Sequence, residues 1–281
     1  MTVPDLALHD GTSIPQLGFG VFQVPPPETA ATVAQAFEAG YRHIDTAQMY
    51  ANEAGVGEAI AASGIPRDEL YVTTKLNNGF HRPDDARRSL DESLSRLGLD
   101  RVDLFLIHWP LPTRYDGDYV TTWRTMAEFV EDGRATSVGV SNFQPDHLDR
   151  IVSETGVVPV LNQVEVHPFF GNEDVRAACA RRDIAVEAWA PIAQGKVVDD
   201  ETITGVADRL GRTPAQVALR WHIQRGDIVF PKTVTPERMR ENFDIFDFEL
   251  SDDDMSAITA LDRGEAGRGG PHPDEFDMVP D

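Results

Sequence analysis

The stretch from Arg82 to Trp109 reads RPDDARRSLDESLSRLGLDRVDLFLIHW. Its first part, RPDDARRSLDESLSRLG, opens on a proline, runs as an amphipathic segment and stops at a glycine, the boundaries expected of a helix. Its second part, VDLFLIHW, is a short apolar run with the polar His108 next to its end. Such a run reads as a buried strand. The same alternation continues in both directions. Strand-like runs QLGFG, RHID, LYVTTK, VDLFLIHW, ATSVGVS, PVLNQVEV, IAVEAW and DIVFPK make eight, and a helix-like run follows each one. Strict alternation demands a parallel sheet with right-handed crossovers. Eight units predict an α/β fold of the closed (β/α)8 TIM barrel type. The open doubly wound alternative needs G-x-G-x-x-G after an early strand, and LGFGVFQV lacks that spacing. Before the first unit, Leu6–Leu8 and Ser13–Ile14 flank Asp10-Gly11, which predicts an N-terminal β-hairpin.

The chain has 281 residues, close to the roughly 250 of a typical barrel, and shows no low-complexity linker, so one domain over 1–281 is expected. A hydrophobic content of 41%, with 14 Phe and 4 Trp, suffices for one sizeable core. Net charge is −22, from 25 basic and 47 acidic residues, which argues against nucleic acid and anionic membranes as partners. An anionic ligand therefore requires a local basic pocket. The single cysteine, Cys179, excludes an intrachain disulfide and falls in a helical run where burial is expected. MTVPDLALHDG carries neither a basic nor an apolar signal region, and no window reaches the ~18 apolar residues of a membrane span. The expected location is the cytoplasm, and the expected state a monomer.

Barrel active sites form where strands end in loops. The polar residues at those ends are Asp45, Lys75, His108, Ser141, Asn142, Gln163, Glu165, His167, Trp189 and Lys232, with Tyr50 just past Asp45 in GYRHIDTAQMY. A phenol titrates near pH ~10. An ammonium beside it lowers that value, and Lys75 is placed to supply one, held by Asp45. His108 is placed to hydrogen-bond a substrate oxygen. This set suits proton donation to a carbonyl oxygen that gains negative charge, with hydride from a cofactor as the nucleophile. The required basic pocket occurs in FPKTVTPERMREN, where Lys232, Thr233, Arg238 and Arg240 surround a helix start at Pro236. A helix N-terminus with hydroxyls and cations suits phosphate.

GYRHIDTAQMYANEAGVG, VTTKL, LFLIHWP, GVSNF, LNQVEVHP and FPKTVTPERMRENFDIFDF together resemble the aldo-keto reductase superfamily, in the family's order and through nearly the whole chain. The overall pattern is similar to bacterial reductases of 2,5-diketogluconate, methylglyoxal and related dicarbonyls. The resemblance implies a (β/α)8 barrel that binds NADPH in preference to NADH, without a Rossmann domain, and reduces small-molecule carbonyl substrates. It assigns Tyr50 as proton donor, Asp45 and Lys75 as its tuning pair and His108 as orienting group. Phe22, His108 and Trp109 would line the substrate pocket. Ser141, Asn142 and Gln163 would bond the nicotinamide carboxamide, and Trp189 would stack on the ring. Ala190, Pro191, Ile192 and Gln194 would follow the pyrophosphate. Lys232, Thr233, Val234 and Arg238 would hold the 2′-phosphate end, and Glu241 and Asn242 the adenine. Trp189 stands where many animal members have tyrosine, Thr233 replaces a common serine, and the segment APIAQGKVVDDET is short for the family. The tail RGEAGRGGPHPDEFDMVPD would form a C-terminal loop over the substrate pocket, with His272 and Phe276 as further lining residues.

Other readings meet specific objections. His43, His108, Glu165 and His167 share a barrel interior, but their spacing resembles no metal motif, so no metal is expected. His167 reads as a structural hydrogen bonder. A Schiff-base lyase needs Lys75 unpaired, whereas Asp45 keeps it charged. A non-catalytic module that uses NADP(H) as a redox signal stays an open alternative, against which the full set of Asp45, Tyr50, Lys75 and His108 argues for catalysis.

Overall fold

The structure, a computed structural model, describes residues 3–280. It opens with an antiparallel hairpin, β1 (Asp5–Ala7) and β2 (Ser13–Pro15), joined around Gly11 at φ +88°. Eight parallel strands follow: β3 (Phe19–Gly20), β4 (His43–Asp45), β5 (Tyr71–Leu76), β6 (Val102–Ile107), β7 (Ala135–Ser141), β8 (Leu161–Glu165), β9 (Ala185–Trp189) and β10 (Ile228–Val229). Each pairs with its sequence neighbour. A parallel bridge between Leu17 and Val229 closes the ring, with Gly18 N–H donating to Val229 O at 2.7 Å and Val229 N–H to Gln16 O at 3.0 Å. The barrel is therefore closed, as the alternation predicts.

The first and last barrel strands are shorter than QLGFG and DIVFPK suggested. They meet at the closing seam, and Pro231 has no N–H to extend the ladder; beyond Val229 one long bond remains, Gly20 N–H to Pro231 O at 3.4 Å. Lys232 thus stands beyond the strand, not at its end.

Helices α1 (Pro26–Ala39), α2 (Glu53–Ser63), α3 (Pro83–Leu97), α4 (Tyr119–Glu131), α5 (Pro145–Thr155), α6 (Glu173–Ala180), α7 (Glu201–Leu210), α8 (Pro214–Gln224) and α9 (Pro236–Phe243) cover the outside. One more, α10 (Asp252–Thr259), was not anticipated. Its signal was local: Ser251 accepts the Asp254 N–H at 3.2 Å, and Asp254 accepts the Ser251 N–H at 3.0 Å, a reciprocal cap. Cys179 is fully buried on α6. No helix among the described residues is long and apolar enough to cross a membrane.

Two-residue periodicity sorts the strand side chains. Leu104 and Leu106 of β6 join Leu161, Ile228 and the hairpin's Leu8 and Ile14 inside the barrel floor. Phe105 and Ile107 face the helices, Phe105 meeting Phe129 of α4 at 5.7 Å between ring centroids. The next inward residue after Leu104 and Leu106 is His108. The same parity sends His43 and Asp45, Thr73 and Lys75, Ser141, Gln163, Glu187 and Trp189 inward, above an apolar plug.

Candidate active site

Asp45 and Lys75 form the centre of the mouth. Lys75 is fully buried and Asp45 1% exposed. Lys75 Nζ donates to Asp45 Oδ1 at 2.7 Å, Asp45 Oδ2 at 2.8 Å and Thr46 O at 2.9 Å. Burial alone favours a neutral amine, but the Asp45 carboxylate and Tyr50 outweigh it, and the Lys75 pKa is raised. Burial also pushes the Asp45 carboxyl up, against Lys75 and Gln163; the donors crowding both its oxygens are those a carboxylate needs.

Tyr50 ends a single 3-10 turn, Gln48–Tyr50, after β4. Its hydroxyl lies 3.5 Å from Lys75 Nζ. The expectation that Lys75 sets Tyr50 below an ordinary phenol does not hold in the protein as it stands. Burial is the larger effect and pushes Tyr50 up to about 12, while Lys75 pulls it back and Asp45 opposes that pull. Tyr50 is consequently a fully protonated donor at neutral pH. His108 packs edge-on against it, with 5.6 Å between ring centroids. Burial, then the Lys75 charge, holds His108 well below the usual histidine range, so its ring is neutral. Its Nδ1 is buried without a partner among the described residues.

A second layer joins the strand ends. Ser141 Oγ donates to Gln163 O at 2.7 Å. Asn142, in the left-handed region at φ +65°, donates to His108 O at 2.9 Å and Ser141 Oγ at 3.1 Å, and accepts from Trp189 Nε1 at 2.9 Å. One residue thus ties the ends of β6, β7 and β9. Gln163 Nε2 donates to Asp45 Oδ2 at 2.8 Å and to Glu187 Oε2 at 2.8 Å.

After Trp189 the chain turns irregularly, with positive φ at Ala190, Ala193, Gln194 and Gly195. His222 Nε2 lies 3.1 Å from Pro191 O and fastens the turn to α8. Pro191 is buried, Ile192 half-buried and Gln194 exposed. Past β10, Thr233 Oγ1 accepts the Thr235 N–H at 3.1 Å just before α9. Lys232, Val234, Arg238 and Glu241 are exposed, and Asn242 is buried on the inner face of α9. Nearby, Arg212 pairs with Asp244 and Asp247, and Arg220 with Glu249. Lys232, Arg238 and Arg240 have no ion pair among the described residues.

A profile of the aldo/keto reductase family matches residues 16–263. The chain belongs to that family. It is 48% identical over 276 residues to an aldo-keto reductase of Mycolicibacterium smegmatis, covering 98% of this chain and 99% of the relative. It is 48% identical to the methylglyoxal reductase DkgA of Yersinia pestis, covering 97% of each chain. The crystal structure of Gox0644 in its apo form superposes with a TM-score of 0.95 at 44% identity, covering 99% of this chain and 100% of that one.

In this aldo/keto reductase the C-terminal segment crosses the mouth. The Gly269 and Gly270 N–H groups donate to Glu165 Oε1 at 2.7 Å and Oε2 at 3.0 Å. A Cβ on Gly270 would stand 2.5 Å from Trp189 Cη2, so glycine permits the close approach. Further on, Phe276 lies on Trp109 at 4.2 Å, Arg114 Nε donates to Asp277 O at 3.1 Å, and Asn78 Nδ2 donates to Met278 O at 2.9 Å. Phe22, 55% exposed, leans on Tyr50 at 5.0 Å. His272 accepts the Asp274 N–H at 3.3 Å and serves the tail's own turn. Glu165 and His167 bond each other at 3.1 Å, and among the described residues no cluster has the geometry to hold a metal.

The residues that sequence reasoning overlooked are Glu187, under Gln163, and the tail anchors Asn78 and Arg114. Glu187 had a signal, an acid inside the apolar run IAVEAW. The anchors had none, since Asn78 and Arg114 lie in loops that follow no period.

Proposed function

We propose that this chain is an NADPH-dependent reductase of small aldehydes, ketones and dicarbonyls in which Tyr50 gives the proton. The observation that carries the reading is the Lys75 ammonium, clamped by Asp45 and 3.5 Å from the Tyr50 hydroxyl, beside a neutral His108 at the barrel mouth. Residues fit the cofactor at both ends. The unpaired cations Lys232 and Arg238 suit the 2′-phosphate that distinguishes NADPH from NADH. Thr233 and the start of α9 suit the same phosphate, Glu241 and Asn242 the adenine, and the positive-φ turn after Trp189 the pyrophosphate. Trp189 would lie against the nicotinamide, with Ser141, Asn142 and the Gln163 carbonyl toward its carboxamide. A neighbour at 44% identity and TM-score 0.94, a mutant form of Gox0644, is described in complex with NADPH.

NADPH, when bound, supplies hydride to the carbonyl carbon. His108, with its proton on Nε2, orients the carbonyl oxygen. Tyr50 passes its proton to that oxygen as negative charge develops, a transfer that remains downhill from a phenol to an alkoxide. Lys75 stabilises the phenolate left behind, and Asp45 keeps Lys75 in place and charged. Phe22, Trp109 and Phe276 offer apolar walls without charged selectivity, which suits small neutral dicarbonyls, the class named by the DkgA relatives. A Schiff-base role for Lys75 is disfavoured by its three acceptors. The reading extends to a monomeric, single-domain enzyme of the cytoplasm.

Wild type and Tyr50→Phe are to be compared for NADPH oxidation with methylglyoxal, phenylglyoxal, a nitrobenzaldehyde and a diketogluconate. Turnover should fall about 10²–10⁴-fold in the variant, while NADPH still quenches the tryptophan emission. Retained turnover removes Tyr50 as the donor.

A further inference from the structure

Below the catalytic pair lies a second carboxyl that the reaction as described does not use. Glu187 sits on β9, fully buried, beside Gln163 in register. Its Oε2 accepts one Gln163 N–H at 2.8 Å, and Asp45 Oδ2 accepts the other at 2.8 Å. A single amide therefore bridges two buried carboxyl groups. Its orientation is dictated, because only its NH2 end can donate to both. Glu187 Oε1 has no hydrogen-bond partner among the described residues. His43 Nε2 lies 3.6 Å from it.

The His43 tautomer follows from its other side. Nδ1 lies 3.4 Å from Pro15 O, which can only accept, so Nδ1 carries the proton. Nε2 is then an acceptor, facing Thr73 Oγ1 at 3.2 Å and Glu187 Oε1. An ionised Glu187 would aim a bare oxygen at a bare nitrogen. A protonated Glu187 turns a proton toward that nitrogen instead and removes the repulsion, although 3.6 Å is too long for a formed hydrogen bond.

We propose that Glu187 is a positioning residue of this site, a buried carboxylic acid whose bond to Gln163 fixes that amide against Asp45, and whose ionisation adds uncompensated negative charge beneath the Asp45–Lys75 pair. The inference rests on the reductase reading above. The groups facing Glu187 are His43 and Asp45 from β4, Tyr71 and Lys75 from β5, Gln163 from β8, and Tyr50 above. Lys75 is already matched by Asp45. His43 brings no charge, since burial holds it down to about 3. Burial, then Asp45, pushes the Glu187 carboxyl up to about 8, with Gln163 and Lys75 opposing. Once ionised, Glu187 acts with Asp45 to raise Tyr50 further and weakens it as an acid.

The test compares wild type, Glu187→Gln and Glu187→Leu. A glutamine accepts from Gln163 as the neutral acid does and turns an N–H rather than a negative charge toward His43, whereas leucine leaves a Gln163 N–H unpaired. At pH 7, Glu187→Leu should lose roughly ten-fold in kcat/KM for carbonyl reduction, and Glu187→Gln should recover most of it. Wild-type kcat should decline several-fold as pH rises through about 8, and Glu187→Gln should lack that step. Two readouts stand apart from activity. The infrared band of a protonated carboxyl at pH 6.5 should vanish in Glu187→Gln. The unfolding midpoints should also diverge with pH. Folded Glu187 keeps its proton up to about 8 while the unfolded group sheds it near 4.5, so its stability contribution falls as pH rises across that window. Glu187→Gln removes this loss, and its advantage over wild type should grow from pH 5 to 8. Equal impairment of both variants, or an infrared band indifferent to the substitution, overturns the proposal. If no protein reduces any carbonyl, the reductase reading fails, and the infrared and unfolding results still decide the state of Glu187.

Discussion

The two ends of this site are built on opposite principles. At the mouth, Asp45, Lys75, Gln163 and Glu187 are buried, and hydrogen bonds fix their geometry before any ligand arrives. At the seam, Lys232 and Arg238 stand in solvent with no ion pair among the described residues, past a strand of only two ladder residues. The difference follows from what each end must do. A proton donor works through charges that are already placed in a water-poor interior, where they need no rearrangement during the reaction. A phosphate clamp gains affinity from charges still free to be neutralised. Stability and activity should therefore be coupled at the mouth and separate at the seam.

The largest test of that contrast is Lys75→Met. It leaves Asp45 buried without its cation, and breaking such a pair costs about 3–5 kcal/mol. Urea denaturation should show a loss of that order, and turnover should drop about 10²–10⁴-fold. Adding Asp45→Leu to Lys75→Met should restore part of the stability and none of the turnover. A Lys75→Met protein as stable as wild type would mean that the mouth is not held by its charges.

Arg238→Ala examines the other end. A charge-assisted hydrogen bond contributes about 1.5–3 kcal/mol, so the NADPH dissociation constant should rise roughly ten- to hundred-fold. NADH binding should stay as it is, and stability should change by no more than about 0.5 kcal/mol. The NADPH preference should also weaken with added salt, as exposed charges are screened. Unchanged NADPH affinity would remove Arg238 from the phosphate site.

The same contrast explains what the sequence disclosed. The barrel was legible because strand and helix periods alternate eight times, and the mouth because the apolar runs repeatedly end in polar residues. Parity within VDLFLIHW already sends His108 to the side of Leu104 and Leu106. Burial energetics were not legible. Placing Tyr50 near Lys75 predicted a lowered phenol, but the closed surroundings push it up to about 12. Nor could the sequence show that Glu187 and Asp45 share Gln163, because that meeting joins β4, β8 and β9 across the barrel. QLGFG and DIVFPK looked like full strands since both are apolar, yet the closing seam and Pro231 leave two ladder residues in each. The cap at Ser251–Asp254 was visible and passed over because the acidic run after it hid the short apolar face of α10.

The smallest expected effect belongs to Phe22, which lies between the two regimes. It is 55% exposed, yet its ring meets Tyr50 at 5.0 Å. Exposure predicts that Phe22→Ala changes stability by no more than about 0.5 kcal/mol. The aromatic contact predicts an effect on substrates, since such pairs contribute about 0.5–1.5 kcal/mol beyond area burial. That corresponds to a KM increase of a few-fold to about ten-fold for phenylglyoxal, whose ring can share the wall, and little change for methylglyoxal, which has none. Steady-state kinetics on the two dicarbonyls separates the cases. Equal loss on both would place Phe22 with the buried mouth, as a support for Tyr50. Loss confined to the aromatic substrate places it with the open surface, where a side chain selects ligands without holding the fold.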